Sequence, residues 1–98
     1  MKDLKVIAFT HKQIDLKELG CLVLCNEASE ERLQLVKSKF DIPELFYLAT
    51  CNRVEFVFTA SQEVTKNFVR LFLAALHGEK MLSPQLDLAV ENSLVFEQ

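Results

Sequence analysis

The chain has 98 residues, half of them hydrophobic and eight of them Phe, enough for one small core and too apolar for a disordered protein. Its formal net charge of -3 argues against nonspecific nucleic-acid binding through a basic face, but leaves room for a specific RNA-linked substrate. No segment approaches the roughly 20 apolar residues of a membrane helix. Three cysteines without a recognisable signal peptide favour a reducing cytosol, so we expect a cytoplasmic protein.

The first half of the chain predicts one strand and a helical region. Residues 4–10 form a mostly apolar run that is typical of a buried strand. Residues 15–24 open with Asp and Glu three positions apart, which resembles a capping box and predicts a helix. Ser29 can cap a second helical piece that ends at residues 41–43, because proline disfavours helical geometry in the residue before it. Its apolar stripe consists of Leu33, Val36 and Phe40.

The second half predicts two strands, a helix and a last strand. Residues 45–49 and 54–58 are rich in β-branched and aromatic side chains, which favours a pair of strands. Ser61 is a suitable cap for a helix over residues 62–77, and residues 93–96 read as the final strand. The apolar side of the helix consists of Val64, Phe68, Leu71, Phe72, Ala75 and Leu76.

The predicted element order is β, helical region, β, β, helix, β. This order is that of the ferredoxin-like α+β fold, an antiparallel sheet with its helices on one face. The stretch that follows Pro84 is weakly patterned and predicts no element. The chain ends in or just after its last strand, from which we expect a longer parent protein.

The segment from Thr50 to Arg53 interrupts two apolar runs with polar side chains, and Cys51 lies within it. A cysteine between strands is most often a small buried hydrophobe. The permanent cation of Arg53 could instead favour a thiolate. If the chain stays extended, Cys51, Arg53 and Glu55 project from one face of the sheet; a tight turn at Asn52-Arg53 would separate them.

Two neighbouring residues have alternative roles. The planar guanidinium of Arg53 suits a substrate carboxylate, because it can bind two oxygens at once. A surface arginine paired with Glu55 accounts for it equally well. His11 follows the first strand and could lie at the same end of the sheet as Cys51, although a lone His is more often a capping or surface residue.

Cys21 and Cys25 lie four residues apart, as two ligands on one helix face would. A metal site needs two more ligands, and neither His11 nor His77 has a ligand spacing from the pair. We therefore predict no metal and regard the two cysteines as small core residues. A redox module that uses this pair is a weaker alternative, because cysteines one helical turn apart seldom have disulfide geometry.

Residues 48–55, Leu-Ala-Thr-Cys-Asn-Arg-Val-Glu, closely resemble the signature segment of the glutamyl-tRNA reductase family. Residues 6–12 look like the opening strand of that family with its Ser/Thr-His-Lys ending. The resemblance implies an NADPH-dependent oxidoreductase that makes glutamate 1-semialdehyde from glutamyl-tRNA, through a cysteine thioester, in tetrapyrrole (porphyrin) biosynthesis. The matching positions are the nucleophile Cys51, the substrate-binding Thr50, Asn52 and Arg53, and the supporting His11 and Glu55.

The resemblance also implies which parts of the family are absent from residues 1–98. These residues correspond to a truncated N-terminal catalytic domain, without the nucleotide-binding domain that holds NADPH and without the dimerisation domain. We therefore expect no cofactor in this chain, a homodimeric parent protein, and no complete reduction by the chain alone. The main rival is a non-catalytic ferredoxin-like binding or regulatory module in which Cys51 belongs to the core.

Overall fold

A computed structural model describes residues 3–15, 26–50, 52–77 and 83–97 of the protein. The described strands form one sheet with the order β2-β3-β1-β4, and every neighbouring pair is antiparallel. The strands are β1 (Asp3–Thr10), β2 (Leu45–Ala49), β3 (Arg53–Ala60) and β4 (Leu94–Glu97). The helices are α1 (Asn26–Lys39), α2 (Lys66–His77) and α3 (Ser83–Glu91). None of these helices is long and apolar enough to cross a membrane.

The sheet order confirms the predicted α+β architecture. Strand β3 lies between β1 and β2, so the chain must cross over through a helical region between its first two strands. Successive side chains of a strand point to opposite faces, and Ile7 pairs with Phe56 while Phe9 pairs with Val54. All four are fully buried. This face of the sheet therefore builds the core together with the helices.

A cluster of aromatic rings centred on Phe72 joins the helices to the core face. The Phe72 ring lies 5.2 Å from that of Phe56 and 5.7 Å from that of Phe58, measured between centroids. Phe68 and Phe40 extend the cluster at 6.0 and 6.1 Å from Phe72. Rings at these distances gain attraction from their edge-to-face and offset geometry in addition to the burial of their apolar area.

Helix α1 ends where the sequence predicts, and its last turn has a specific cap. Asp41 adopts a left-handed backbone with φ of 54°, and the Ile42 N–H donates to the Lys37 carbonyl at 2.9 Å. This is the bond of a Schellman motif, whose apolar residue Ile42 is buried. The predicted start was wrong, because the helix begins at Asn26 rather than at Ser29. The helix predicted over residues 15–24 falls almost wholly outside the described residues.

Helix α2 begins later than predicted. Its cap is Thr65 rather than Ser61, because the Thr65 hydroxyl accepts the Phe68 N–H at 3.1 Å. Val64 is buried as predicted, but it belongs to the segment that precedes the helix. Leu71 was wrongly assigned to the buried stripe: 47% of its surface is exposed.

Helix α3 was missed because its apolar pattern spans only one turn. Pro84 occupies its first turn, where a missing N–H costs little. The Asp87 carboxylate and the Arg70 guanidinium form an ion pair at 2.5 Å, which links α3 to α2. The residues that pack toward the core are Leu86, Ala89 and Val90.

The last strand is held by a charged contact with the first. The Lys5 ammonium, which is buried, lies 2.7 Å from the Glu97 carboxylate. Glu97 also accepts the Val64 N–H at 3.3 Å. The hydrogen bond from Lys5 holds the pKa of the Glu97 carboxyl below its usual value.

We expect Glu97→Gln to lower the free energy of unfolding at neutral pH. Because the folded-state pKa of Glu97 is lowered, its stabilising contribution is complete above the ordinary glutamate pKa and is lost as pH falls through the folded value. The difference between Glu97→Gln and the unsubstituted chain should therefore shrink between pH 7 and pH 3 in urea unfolding. Glu91→Gln, which breaks an exposed pair with Lys66, should show little effect at either pH.

The two neighbouring helix residues Phe72 and Leu71 give a second prediction. Phe72→Ala should lower the free energy of unfolding by about 3–5 kcal/mol, because it leaves a cavity among several rings. Leu71→Ala should cost less than about 1 kcal/mol, since half of that side chain already contacts water. Equal losses from the two substitutions in chemical denaturation would contradict the assigned orientation of α2.

Candidate functional site

The side of the sheet opposite the core is partly uncovered, and we call it the open face. Alternation and register place on it residues from all four strands, including Thr10 opposite Arg53 and Val57 opposite Phe46. Several large apolar side chains there are exposed, among them Phe46 at 64%, Leu48 at 56% and Phe96 at 55%. Arg53 and Glu55 add charge near the end where β2 turns into β3.

The signature segment forms the tight connection between β2 and β3. The Thr50 N–H donates to the Arg53 carbonyl at 2.8 Å, and Ala49 pairs with Val54. Residues 50–52 separate the last residue of β2 from the first residue of β3, so the connection is short. The Asn52 N–H also donates to the Thr50 hydroxyl at 3.3 Å, so the Thr50 side chain takes part in the local geometry of the turn. Arg53 belongs to β3 and pairs with Thr10, so it is not part of the two-residue Asn52-Arg53 turn considered from the sequence.

The loop that follows β1 is attached to this turn. The His11 N–H donates to the Asn52 carbonyl at 3.0 Å, which extends the pairing of β1 with β3 beyond the end of both strands. The loop turns back through bonds from the Gln13 and Ile14 N–H groups to the Thr10 carbonyl. His11 therefore lies at the same end of the sheet as Asn52 and Arg53. The two sequence motifs, about forty residues apart, thus meet in space.

A cleft of about 390 Å³ opens between these two segments and β4. Polar groups from the loop and the turn line one part of it, and apolar side chains of β4 line another. Its lining residues are Thr10, His11, Lys12, Gln13, Asn52, Arg53, Leu94 and Phe96. A site of this composition can bind a ligand that has both a charged group and an apolar or aromatic group.

Arg53 and Glu55 lie on the same face of β3 and form an ion pair. One guanidinium nitrogen, Nη2, lies 2.7 Å from Glu55 Oε1. About half of the Arg53 side chain is exposed, whereas Glu55 is mostly covered. The carboxylate therefore holds one edge of the guanidinium, and the other donor groups of Arg53 can face a ligand in the cleft. Glu55 itself does not line the cleft.

The predicted site residues are thus partly brought together. His11, Asn52 and Arg53 line one cleft. The Thr50 hydroxyl accepts the Asn52 N–H within the turn. Cys51 lies outside the described residues, so its shared face with Arg53 and Glu55 stays a prediction. The described residues contain no cluster of three or more His, Cys, Asp or Glu side chains suited to a metal ion.

Sequence reasoning missed five lining residues, which are Thr10, Lys12, Gln13, Leu94 and Phe96. Lys12 belongs to the opening motif, and its place directly after His11 was the available signal. Gln13 accepts a hydrogen bond from the Thr10 hydroxyl, a contact that no sequence pattern indicates. Leu94 and Phe96 alternate along β4, and only the pairing of β4 with β1 places them beside the loop.

The comparisons with known proteins agree with this arrangement. The family described as the N-terminal domain of glutamyl-tRNA(Glu) reductase matches residues 7–95, which is nearly the whole chain. The chain belongs to this family. The match includes β1 from Ile7 onward, the His-Lys ending that follows it, and the turn between β2 and β3.

A solved structure and a search of curated proteins complete the comparison. Glutamyl-tRNA reductase from Methanopyrus kandleri is similar in fold, with a TM-score of 0.58 at 19% sequence identity. The alignment covers 100% of this chain and 20% of that protein. The chain therefore spans about a fifth of the length of its structural neighbour. No curated protein sequence matches the chain.

We expect the backbone amide of His11 to exchange with solvent more slowly than that of Lys12. The His11 N–H is bonded to the Asn52 carbonyl, whereas the Lys12 N–H donates to no backbone carbonyl among the described residues. Hydrogen exchange followed by NMR should show protection of His11 by about tenfold or more relative to Lys12. Equal exchange of the two amides would mean that the loop and the turn are not joined.

Proposed function

We propose that this chain is the N-terminal, thioester-forming part of an NADPH-dependent reductase that converts glutamyl-tRNA to glutamate 1-semialdehyde in tetrapyrrole biosynthesis. The observation that supports this most directly is the hydrogen bond between the His11 N–H and the Asn52 carbonyl. It joins the two family motifs at one cleft. The family match over residues 7–95 supplies the reaction class.

Cys51 is the proposed nucleophile, placed by sequence between two residues of the described turn. Its thiolate attacks the carbonyl carbon of the glutamyl ester, a sulfur–carbon bond forms, and the bond from that carbon to the ribose oxygen breaks. The ribose oxygen takes a proton and the tRNA leaves. A thiolate suits this step, because it attacks an activated ester readily and yields a thioester that a hydride can reduce.

Arg53 is the proposed recognition group for the side-chain carboxylate of glutamate. Glu55 holds one guanidinium nitrogen at 2.7 Å and so orients the remaining donors. A cleft that offers a fixed guanidinium favours glutamate over glutamine, since the neutral amide would leave part of the charged fork unpaired. Thr50 and Asn52 hold the turn that carries both Cys51 and Arg53, and His11 anchors it from the opposite loop.

NADPH would supply the hydride that reduces the thioester to the aldehyde. The residues of this chain do not fit a dinucleotide, because its two glycines, Gly20 and Gly78, cannot form a glycine-rich phosphate turn. We assign the cofactor to a nucleotide-binding domain outside residues 1–98. The parent protein is proposed to be cytoplasmic and homodimeric.

The ion pair between Arg53 and Glu55 favours a second candidate, a non-catalytic binding or regulatory module. In such a module the pair would be a surface contact and nothing more. The two functions differ in what Cys51 does, because only the reductase requires a reactive thiolate. A covalent glutamyl adduct on Cys51 therefore separates them.

Incubation of the chain with glutamyl-tRNA labelled in the amino acid should leave label in the protein band after ribonuclease digestion and denaturing gel electrophoresis. Neutral hydroxylamine should release it, because hydroxylamine cleaves thioesters. Cys51→Ser should abolish the labelling, whereas Cys21→Ser and Cys25→Ser should retain it. Labelling that persists in Cys51→Ser would show that Cys51 is not the nucleophile. Absence of label on the unsubstituted chain would favour the non-catalytic module.

Substitution of Arg53 tests substrate recognition separately from the nucleophile. Arg53→Gln should lower the rate of labelling by glutamyl-tRNA by about tenfold or more, since a charge-assisted bidentate contact is lost. It should also reduce the preference for glutamyl-tRNA over glutaminyl-tRNA. Arg70→Gln breaks an ion pair far from the cleft and should leave both quantities unchanged. An unaltered preference in Arg53→Gln would contradict the proposed role.

A further inference from the structure

The cleft extends well beyond Arg53, from β3 across β1 to β4. Thr10 pairs with Arg53 on one side of β1, whereas Val6 pairs with Phe96 on the other. With a strand spacing of about 4.8 Å and a rise of about 3.3 Å per residue, the backbones at Arg53 and Phe96 are roughly 16 Å apart. A ligand that extends from Arg53 to Phe96 can therefore carry a second group at a distance from its carboxylate.

The far part of the cleft has the chemistry of a nucleotide site. Phe96 presents an exposed ring there, and Leu94 provides apolar surface beside it. Proteins that recognise single-stranded RNA commonly stack an unpaired base on such a ring. Lys12 lines the same cleft, is exposed, and forms no ion pair within the described part of the chain. Its ammonium can therefore bind a phosphate.

We propose that Lys12, Leu94 and Phe96 form a subsite for the 3′-terminal nucleotide of the aminoacyl-RNA substrate. The base stacks on Phe96 beside Leu94, and the 5′-phosphate of that nucleotide contacts Lys12. The inference rests on the proposed function, because the glutamyl group at Arg53 fixes which part of the RNA reaches β4. The ester that joins the two groups then lies between the ends of the cleft.

The charge of the protein limits this contact to the end of the RNA. The net charge is -3, and the cleft holds one lysine and one arginine, with the arginine partly neutralised by Glu55. A long phosphate track needs many cations. Stacking of one base and pairing of one phosphate need only Phe96 and Lys12, so a single terminal nucleotide suits this surface.

Binding of uncleavable probes tests the subsite. The first probe is adenosine 5′-monophosphate that carries glutamate as an amide on a 3′-amino group, and the second is the α-methylamide of glutamate. Phe96→Ala should weaken binding of the nucleotide probe by about tenfold or more and leave the methylamide unaffected. Phe96→Trp should retain binding. Phe46→Ala removes an equally exposed ring from the open face but outside the cleft, and should change neither affinity.

Lys12 is tested with the nucleotide probe and with the same compound prepared without its 5′-phosphate. Lys12→Gln should weaken only the phosphorylated form. Equal affinity of Phe96→Ala and the unsubstituted chain for the nucleotide probe would overturn the subsite, even where Cys51 labelling from glutamyl-tRNA is intact. Conversely, the unsubstituted chain could bind the nucleotide probe in a Phe96-dependent way and yet acquire no label on Cys51 from glutamyl-tRNA. That pair of results would support the subsite and contradict the proposed reaction.

Discussion

The antiparallel pairing of β1 with β3 determines both which side chains enter the core and where the two loops of the cleft meet. It runs without interruption from Asp3 opposite Ala60 to Thr10 opposite Arg53. Beyond the last pair, the His11 N–H reaches the Asn52 carbonyl. A register shift of one residue would turn every core side chain of a strand to the open face. The burial of the core therefore fixes the alignment of the two loops that form the cleft.

The two faces of the sheet divide stability from recognition. The core face packs on the helices through aromatic rings centred on Phe72. The open face carries the Arg53–Glu55 pair, the cleft and several exposed apolar side chains. Because alternate residues of the same strands serve the two faces, Val54 and Phe56 are buried on one side while Arg53 and Glu55 face the other. Adjacent residues of β3 therefore belong in turn to the core and to the open face.

Much of this arrangement could be read from the sequence. Alternating or continuous apolar runs indicated all four strands, and the stripe in residues 33–40 indicated α1. Local bonding decided what the pattern could not: Thr65 rather than Ser61 caps α2, and Asp41 ends α1 through a left-handed residue. Helix α3 was missed because a single apolar turn gives almost no periodicity, and its stability comes from contact with α2 and the core.

The candidate site was predictable where its residues belong to one of the two sequence motifs. Asn52 and Arg53 belong to one motif, and His11 was placed with them because both segments end neighbouring strands. The contribution of Leu94 and Phe96 depends on β4 pairing with β1, a contact between residues almost ninety positions apart. The sequence left two roles open for Arg53, and the structure shows the pair with Glu55 while about half of the Arg53 side chain stays exposed. The carboxylate-binding role therefore stays a prediction.

Amide chemical shifts recorded by NMR during titration with the glutamyl adenosine probe test whether the two motif segments form one binding site. Saturating shifts with one dissociation constant should appear both in residues 10–13 and in residues 52–53. Shifts in only one of the two segments, or two unrelated dissociation constants, would contradict a shared site.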